Sequence, residues 1–145
     1  MGSAAEANVR QAVPFFGVTN IDASLEFYVD GLGFELTNKW VVDGRIRWCW
    51  LQNGGAALML QEYVNDGQHS FVPKEKLGVG VSVCFVCRDA LAFYHEVKAR
   101  GLQPSRPFVG NAMWVTGLND PDGYRVDFES PTDVPEETEY QEEPR

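Results

Sequence analysis

The sequence predicts an α+β fold built from two tandem βαβββ modules, and three observations predict it. The chain carries a duplicated strand-then-helix unit: Phe15–Tyr28 reads FFGVTNIDASLEFY and Val83–Tyr94 reads VCFVCRDALAFY. In each copy an apolar run ends in Val and polar residues, an Asp follows, and an apolar-periodic segment closes on Leu, one residue, Phe-Tyr. Hairpin turns follow the first copy at Asp43-Gly44 and Asn53-Gly54-Gly55, pairs that supply the positive φ such turns need. At 145 residues the chain suits one core, so the two units share a single domain whose cleft lies where the halves meet.

Residues 1–10 read as a flexible N-terminus. The first module, 11–63, opens with a strand over Gln11–Val18 and a helix capped by Asp22, with Leu25, Tyr28, Val29 and Leu32 at helical spacing and Gly31 and Gly33 as its stop. Strands over Phe34–Val42, Arg45–Gln52 and Ala56–Tyr63 complete it. Val64–Leu77 has no periodicity and serves as a connector. The second module, 78–130, repeats the plan: a strand over Val79–Val86, Asp89 as N-cap, and a helix with Ala90, Phe93, Tyr94 and Val97 on one face, ended by Gly101. Three shorter strands follow near Leu102–Phe108, Met113–Leu118 and Tyr124–Ser130. Residues 131–145 form an acidic tail, with Asp133, Glu136, Glu137, Glu139, Glu142 and Glu143 against one Arg, read as solvated or loosely docked.

Composition narrows the function. A formal charge of −9 with no basic stripe argues against nucleic acid. No apolar run reaches membrane-spanning length and no export signal opens the chain, so a cytoplasmic protein is expected. Cys49, Cys84 and Cys87 are read as free thiols in a reducing compartment. The Cys84-x-x-Cys87 pair lies inside a strand, where alternation sends the two side chains to opposite faces, so it reads as packing rather than a redox or zinc motif. His95 is placed on the helix surface and His69 in the connector.

The duplicated halves, the S-L-x-F-Y helix followed by Gly31-Leu32-Gly33-Phe34-Glu35, and Asp120-Pro121-Asp122-Gly123-Tyr124 before the last strand together resemble the vicinal oxygen chelate superfamily. That group includes glyoxalase I, extradiol dioxygenases, fosfomycin-resistance enzymes and bleomycin-resistance proteins. The resemblance covers Val13 to Thr132 and implies a curved, open eight-stranded mixed sheet with a central cleft. In metal-dependent members the first and fourth strands of each half each supply one ligand. Carried over by spacing, those positions hold Val13, Met59, Val81 and Asp127. Only Asp127 is a metal donor, so no metal and no cofactor is expected. The resemblance is thus nearest to the bleomycin-resistance branch, and relatives that pair to complete their cleft walls imply a homodimer.

Period-2 alternation from those positions puts Gln11, Phe15, Ala57, Gln61, Val79, Val83, Phe85, Arg125 and Glu129 on the same cleft-facing side. Trp48 and Trp50 share a strand face and add stacking surface. The expected ligand-binding residues are therefore Phe15, Trp48, Trp50, Met59, Gln61, Phe85, Arg125, Asp127 and Glu129, with no catalytic residue assigned. An apolar, aromatic wall with acids at one end suits an aromatic or cationic small molecule held by sequestration. Two alternatives stand beside this reading. One is a glyoxalase-like lyase or isomerase or a ring-cleaving dioxygenase, including a metal-free enzyme with Asp127 or Glu129 as base and Arg125 holding an anion. The other is a structural or regulatory module that binds protein.

Overall fold

The computed structural model describes residues 7–63 and 75–142; residues 64–74 of the connector, with His69 among them, lie outside the described residues. The first half forms β1 (Phe15–Val18), α1 (Ile21–Leu25) running into a π-helical turn (Glu26–Gly31), β2 (Glu35–Val42), β3 (Arg45–Asn53) and β4 (Ala56–Glu62). The second forms β5 (Ser82–Val86), α2 (Ala90–Ala99), β6 (Phe108–Gly110), β7 (Met113–Asn119) and β8 (Arg125–Pro131). Each half is a four-stranded mixed sheet of the same order, β1-β4-β3-β2 and β5-β8-β7-β6, with the first and last strands of each half parallel. This is the tandem βαβββ arrangement, its eight strands divided between two open sheets.

Several local features differ from the sequence reading, beginning with the first strand of each half, which starts at Phe15 instead of Gln11 and at Ser82 instead of Val79. Asn20 rather than Asp22 caps α1, its Oδ1 accepting from the Ala23 N–H at 3.2 Å, which leaves Asp22 in the first turn. The helix widens because the Leu32 N–H donates to the Phe27 carbonyl, five residues back, at 2.9 Å. The sixth strand begins at Phe108 instead of Leu102, since Pro104 and Pro107 remove backbone donors over that stretch.

The helix-facing sides of both sheets merge in one core. Val18, Ile21, Tyr28, Leu51, Leu58, Leu60, Val97 and Val126 are fully buried in it. Equivalent devices seat the two helices: the Glu62 carboxylate accepts from the Ile21 N–H at 2.7 Å, and the Ser130 hydroxyl accepts from the Ala90 N–H at 2.8 Å. Arg45 grips Glu62 with two hydrogen bonds of 2.7 and 2.6 Å and holds its carboxyl below the usual range. The DPDG turn ties the halves together. Asp120 is buried and accepts from the Tyr28 hydroxyl at 2.9 Å and from the Asp122 and Tyr124 N–H groups at 2.9 Å each. Tyr124 stacks on Phe16 with centroids 4.1 Å apart and donates to the Gly17 carbonyl at 2.9 Å.

The acidic tail is docked through residue 142. Val109 exchanges backbone hydrogen bonds with Thr138 and Glu137 at 2.9 Å, and Tyr140 meets the His95 ring nitrogen at 2.9 Å. Lys98 pairs with Glu142 at 3.0 Å. No helix among the described residues is long and apolar enough to cross a membrane.

Burial makes stability sensitive to alkali. It pushes the Cys49 thiol up to about 11 and raises Tyr28 and Tyr124 above the ordinary tyrosine value. A raised folded-state value means the folded chain holds these protons longer than the unfolded one, so this stability is intact below the unfolded values and lost above them. Denaturant midpoints are expected to be level to about pH 8.5, then to fall toward pH 11 as Cys49 and later the tyrosines contribute. A midpoint that holds or rises between pH 9 and about 10.5 would contradict this.

Candidate functional site

Strand register places eight of the nine expected residues on the sheet faces turned away from the helices. On the first sheet, Phe15 pairs with Met59, Met59 with Trp50, and Trp50 with Asn38, one row across four strands. The next row runs Gly17, Gln61, Trp48 and Trp40. Paired residues point to the same side of a sheet, so Phe15, Met59, Trp50, Trp48 and Trp40 form one apolar, aromatic surface edged by Gln61. Phe15 and Trp40 remain 52% and 56% exposed, too large a surface to be ordinary core. Trp50 is fixed at its centre, its indole N–H donating to Gln52 at 3.2 Å. Trp40 is the contributor that sequence reasoning left out; the Asp43-Gly44 hairpin alone would set it opposite Arg47, and a register shift between Trp40 and Val41 brings it opposite Trp48. Trp114 lies on the helix side, edge-on to Tyr140 at 6.0 Å.

On the second sheet the rows are Ser82–Arg125–Asn119, Cys84–Asp127–Gly117 and Val86–Glu129–Val115–Phe108. Arg125, Asp127 and Glu129 share this face as expected. Arg125 Nε donates to Asp127 Oδ1 at 2.9 Å, and the pair is largely shielded. Gly117 makes room for it: a Cβ there would lie 1.8 Å from Arg125 Nη2 and 2.5 Å from Asp127 Oδ1. Asp127 is thus already compensated, which leaves Glu129 as the carboxylate of this face that Arg125 does not neutralise. Burial first, and then Glu129 itself, raises the neighbouring Cys84 thiol and keeps it protonated.

Phe85 is the exception. It pairs with Phe128 rather than Asp127 and is buried on the helix side, between Phe34 and Phe128. The expected cleft-facing series Val79, Val81, Val83 and Phe85 is one residue out of phase. Val18 lies three residues before Ile21, and Cys87, not Val86, lies three before Ala90, so Ser82 takes the place assigned to Val81. The likeness of FFGV to VCFV hides this slip, and a one-residue slip changes the face of every side chain.

The positions that correspond to metal ligands in the metal-dependent relatives therefore hold Val13, Met59, Ser82 and Asp127. Among the described residues no three His, Cys, Asp or Glu side chains are grouped to hold a metal ion, and the one carboxylate of the set is engaged by Arg125. These donors do not fit a zinc, nickel or iron centre.

Comparison with known proteins places this geometry. A sequence model of the Glyoxalase/Bleomycin resistance protein/Dioxygenase superfamily matches residues 11–128. Among curated proteins none matches the chain. The bleomycin resistance determinant encoded on transposon Tn5 is 22% identical, with 86% of this chain and 98% of that one covered at a TM-score of 0.64. TioX from Micromonospora sp. ML1 is 20% identical over 82% of this chain and 96% of that one, TM-score 0.64. TnmS3, an antibiotic binding protein from Streptomyces sp. CB03234, is 19% identical over 88% and 100%, TM-score 0.64. At these identities the likeness is one of fold.

Proposed function

The chain belongs to the glyoxalase/bleomycin resistance protein/dioxygenase superfamily, and on that premise we propose that it is a metal-independent binding protein that sequesters an aromatic, cationic small molecule. The observation that carries this reading is an exposed tryptophan surface on one sheet together with a face on the other where Asp127 is paired with Arg125 and Glu129 is in no ion pair among the described residues. Indole rings take up a flat apolar body and attract a cation over their faces, and a carboxylate adds a charge-assisted hydrogen bond. A bleomycin resistance determinant and an antibiotic binding protein of the same fold support the choice of ligand class. A metal-free enzyme is less well supported, because the ion pair with Arg125 occupies Asp127 and stills the anion-binding role expected of Arg125.

Exposure on both sheets supports a homodimer whose copies complete the cleft walls. Phe15, Trp40, Val41, Val81, Val86 and Phe108 are all exposed, more apolar surface than a lone copy leaves open without a partner. Light scattering at micromolar concentration is expected to return twice the chain mass. A monomer mass would remove the shared cleft.

Metal independence is checked by dialysis against zinc, nickel, manganese and iron(II). Far less than one equivalent is expected to remain, with an unchanged melting temperature, since an ion bound only by the folded state would raise it. Stoichiometric metal with an upward melting shift would overturn this part of the reading. Tryptophan-fluorescence titration with cationic aromatic antibiotics tests the binding itself, and a signal flat across the set would count against it.

A further inference from the structure

The two halves close differently at the two ends of β1 and β5. At one end the Asp120–Tyr124 turn seals the β1–α1 corner, with Tyr124 parallel to Phe16 at 4.1 Å and Thr19 Oγ1 donating to Asp122 at 2.6 Å. The helix-seating residues Glu62 and Ser130 fix the equivalence of the halves. Counted from them, Ala56 stands where Tyr124 does, six residues before each. Phe85 stands where Phe16 does, five residues before Ala90 and Ile21. The first half thus has Asn53-Gly54-Gly55-Ala56 in place of the sealing turn, and at Ala56 no ring to stack on Phe85, which Phe34 meets only edge-on with centroids 5.5 Å apart. A cavity of about 790 Å³ opens there, inside the range of small-molecule sites, roughly 300–1,000 Å³. Phe34, Phe85, Phe93 and Phe128 give it an aromatic floor, and Arg88 and Arg100 line it with charge. Arg100 donates Nη1 to the Gly31 carbonyl at 3.0 Å and meets Glu96, which also lines the cavity, only at 3.9 Å. A guanidinium has five N–H donors, so these two contacts leave others.

We propose that this cavity is a second binding site, for a small aromatic carboxylate, with the ring against Phe85 as Tyr124 lies against Phe16 and the carboxylate toward Arg88 and Arg100. Of the nine residues expected at the ligand site only Phe85 lines it, and its charge preference is opposite to that of the sheet faces. The test is titration of the full chain with 3-phenylpropionate, followed by backbone amide NMR. Saturable shifts centred on β5, α2 and the β3–β4 turn are expected, with 3-phenylpropylamine about tenfold weaker because it lacks the anion. Ala56→Tyr, which restores the missing ring, is expected to weaken binding at least about tenfold by filling the site. Arg88→Gln, at an exposed position, is expected to weaken the carboxylate several-fold and leave 3-phenylpropanol unaffected. Absence of saturable shifts, equal affinity for the amine, or unchanged affinity in Arg88→Gln would each overturn the proposal. Trp50→Ala is expected to leave this binding intact, so failure here and failure of the sheet-face reading are distinguishable.

Discussion

Asp120→Ala is expected to lower folding stability by about 3–5 kcal/mol, the largest effect of any single side chain in the account. The Asp120 carboxylate is buried and takes three donors: the Tyr28 hydroxyl and the N–H groups of Asp122 and Tyr124. Each buried donor left without a partner costs roughly 1–3 kcal/mol, and loss of the turn also releases Tyr124 from Phe16 and Gly17. Tyr28→Phe removes one of the three bonds and is expected to cost less, about 1–2 kcal/mol. Denaturant unfolding of the two variants measures this directly. If Asp120→Ala proved no worse than Tyr28→Phe, the turn would not be the clasp between the halves.

Trp50→Ala is expected to weaken ligand binding by about 2–4 kcal/mol, a loss in the range of a central aromatic anchor. Trp50 sits mid-row between Met59 and Asn38, two residues along β3 from Trp48, and its indole is already oriented by Gln52. The charge contribution is expected to come from Glu129. Glu129→Gln should cost about 1–3 kcal/mol for a cationic ligand, and Asp127→Asn clearly less, because Asp127 is spent on Arg125. The reverse order would mean that the ligand breaks the Arg125–Asp127 pair. Fluorescence titration through Trp48 and Trp40 remains usable in all three variants.

The fold was legible because its local signals agree: the Gly-bearing hairpin turns, helical spacing ended by Gly33 and Gly101, and alternation along β3, β4 and β8 all point to the same elements. The first-sheet site was legible for the same reason, since Met59, Gln61, Trp48 and Trp50 are bound by the short β3–β4 hairpin, whose register runs without a shift, and Phe15 lies beside Met59 on the parallel strand. The second sheet was half legible. Asp127 and its neighbours follow directly from the DPDG turn, whereas β5 follows a long connector that fixes no register, and Val86 was matched to Val18 on likeness alone. Docking of the tail was one of two readings the sequence left open, because its partners, Val109, His95 and Lys98, are far away in sequence and its acids describe solvation as readily as contact.

The central claim, capture without conversion, is tested most directly by equilibrium dialysis of the purified protein against glycopeptide and aromatic cationic antibiotics, with mass analysis of what is released. The account predicts saturable uptake of a cationic aromatic member, recovered chemically unchanged after denaturation and unaffected by added metal. Uniform lack of uptake, or recovery of an altered compound, would contradict it.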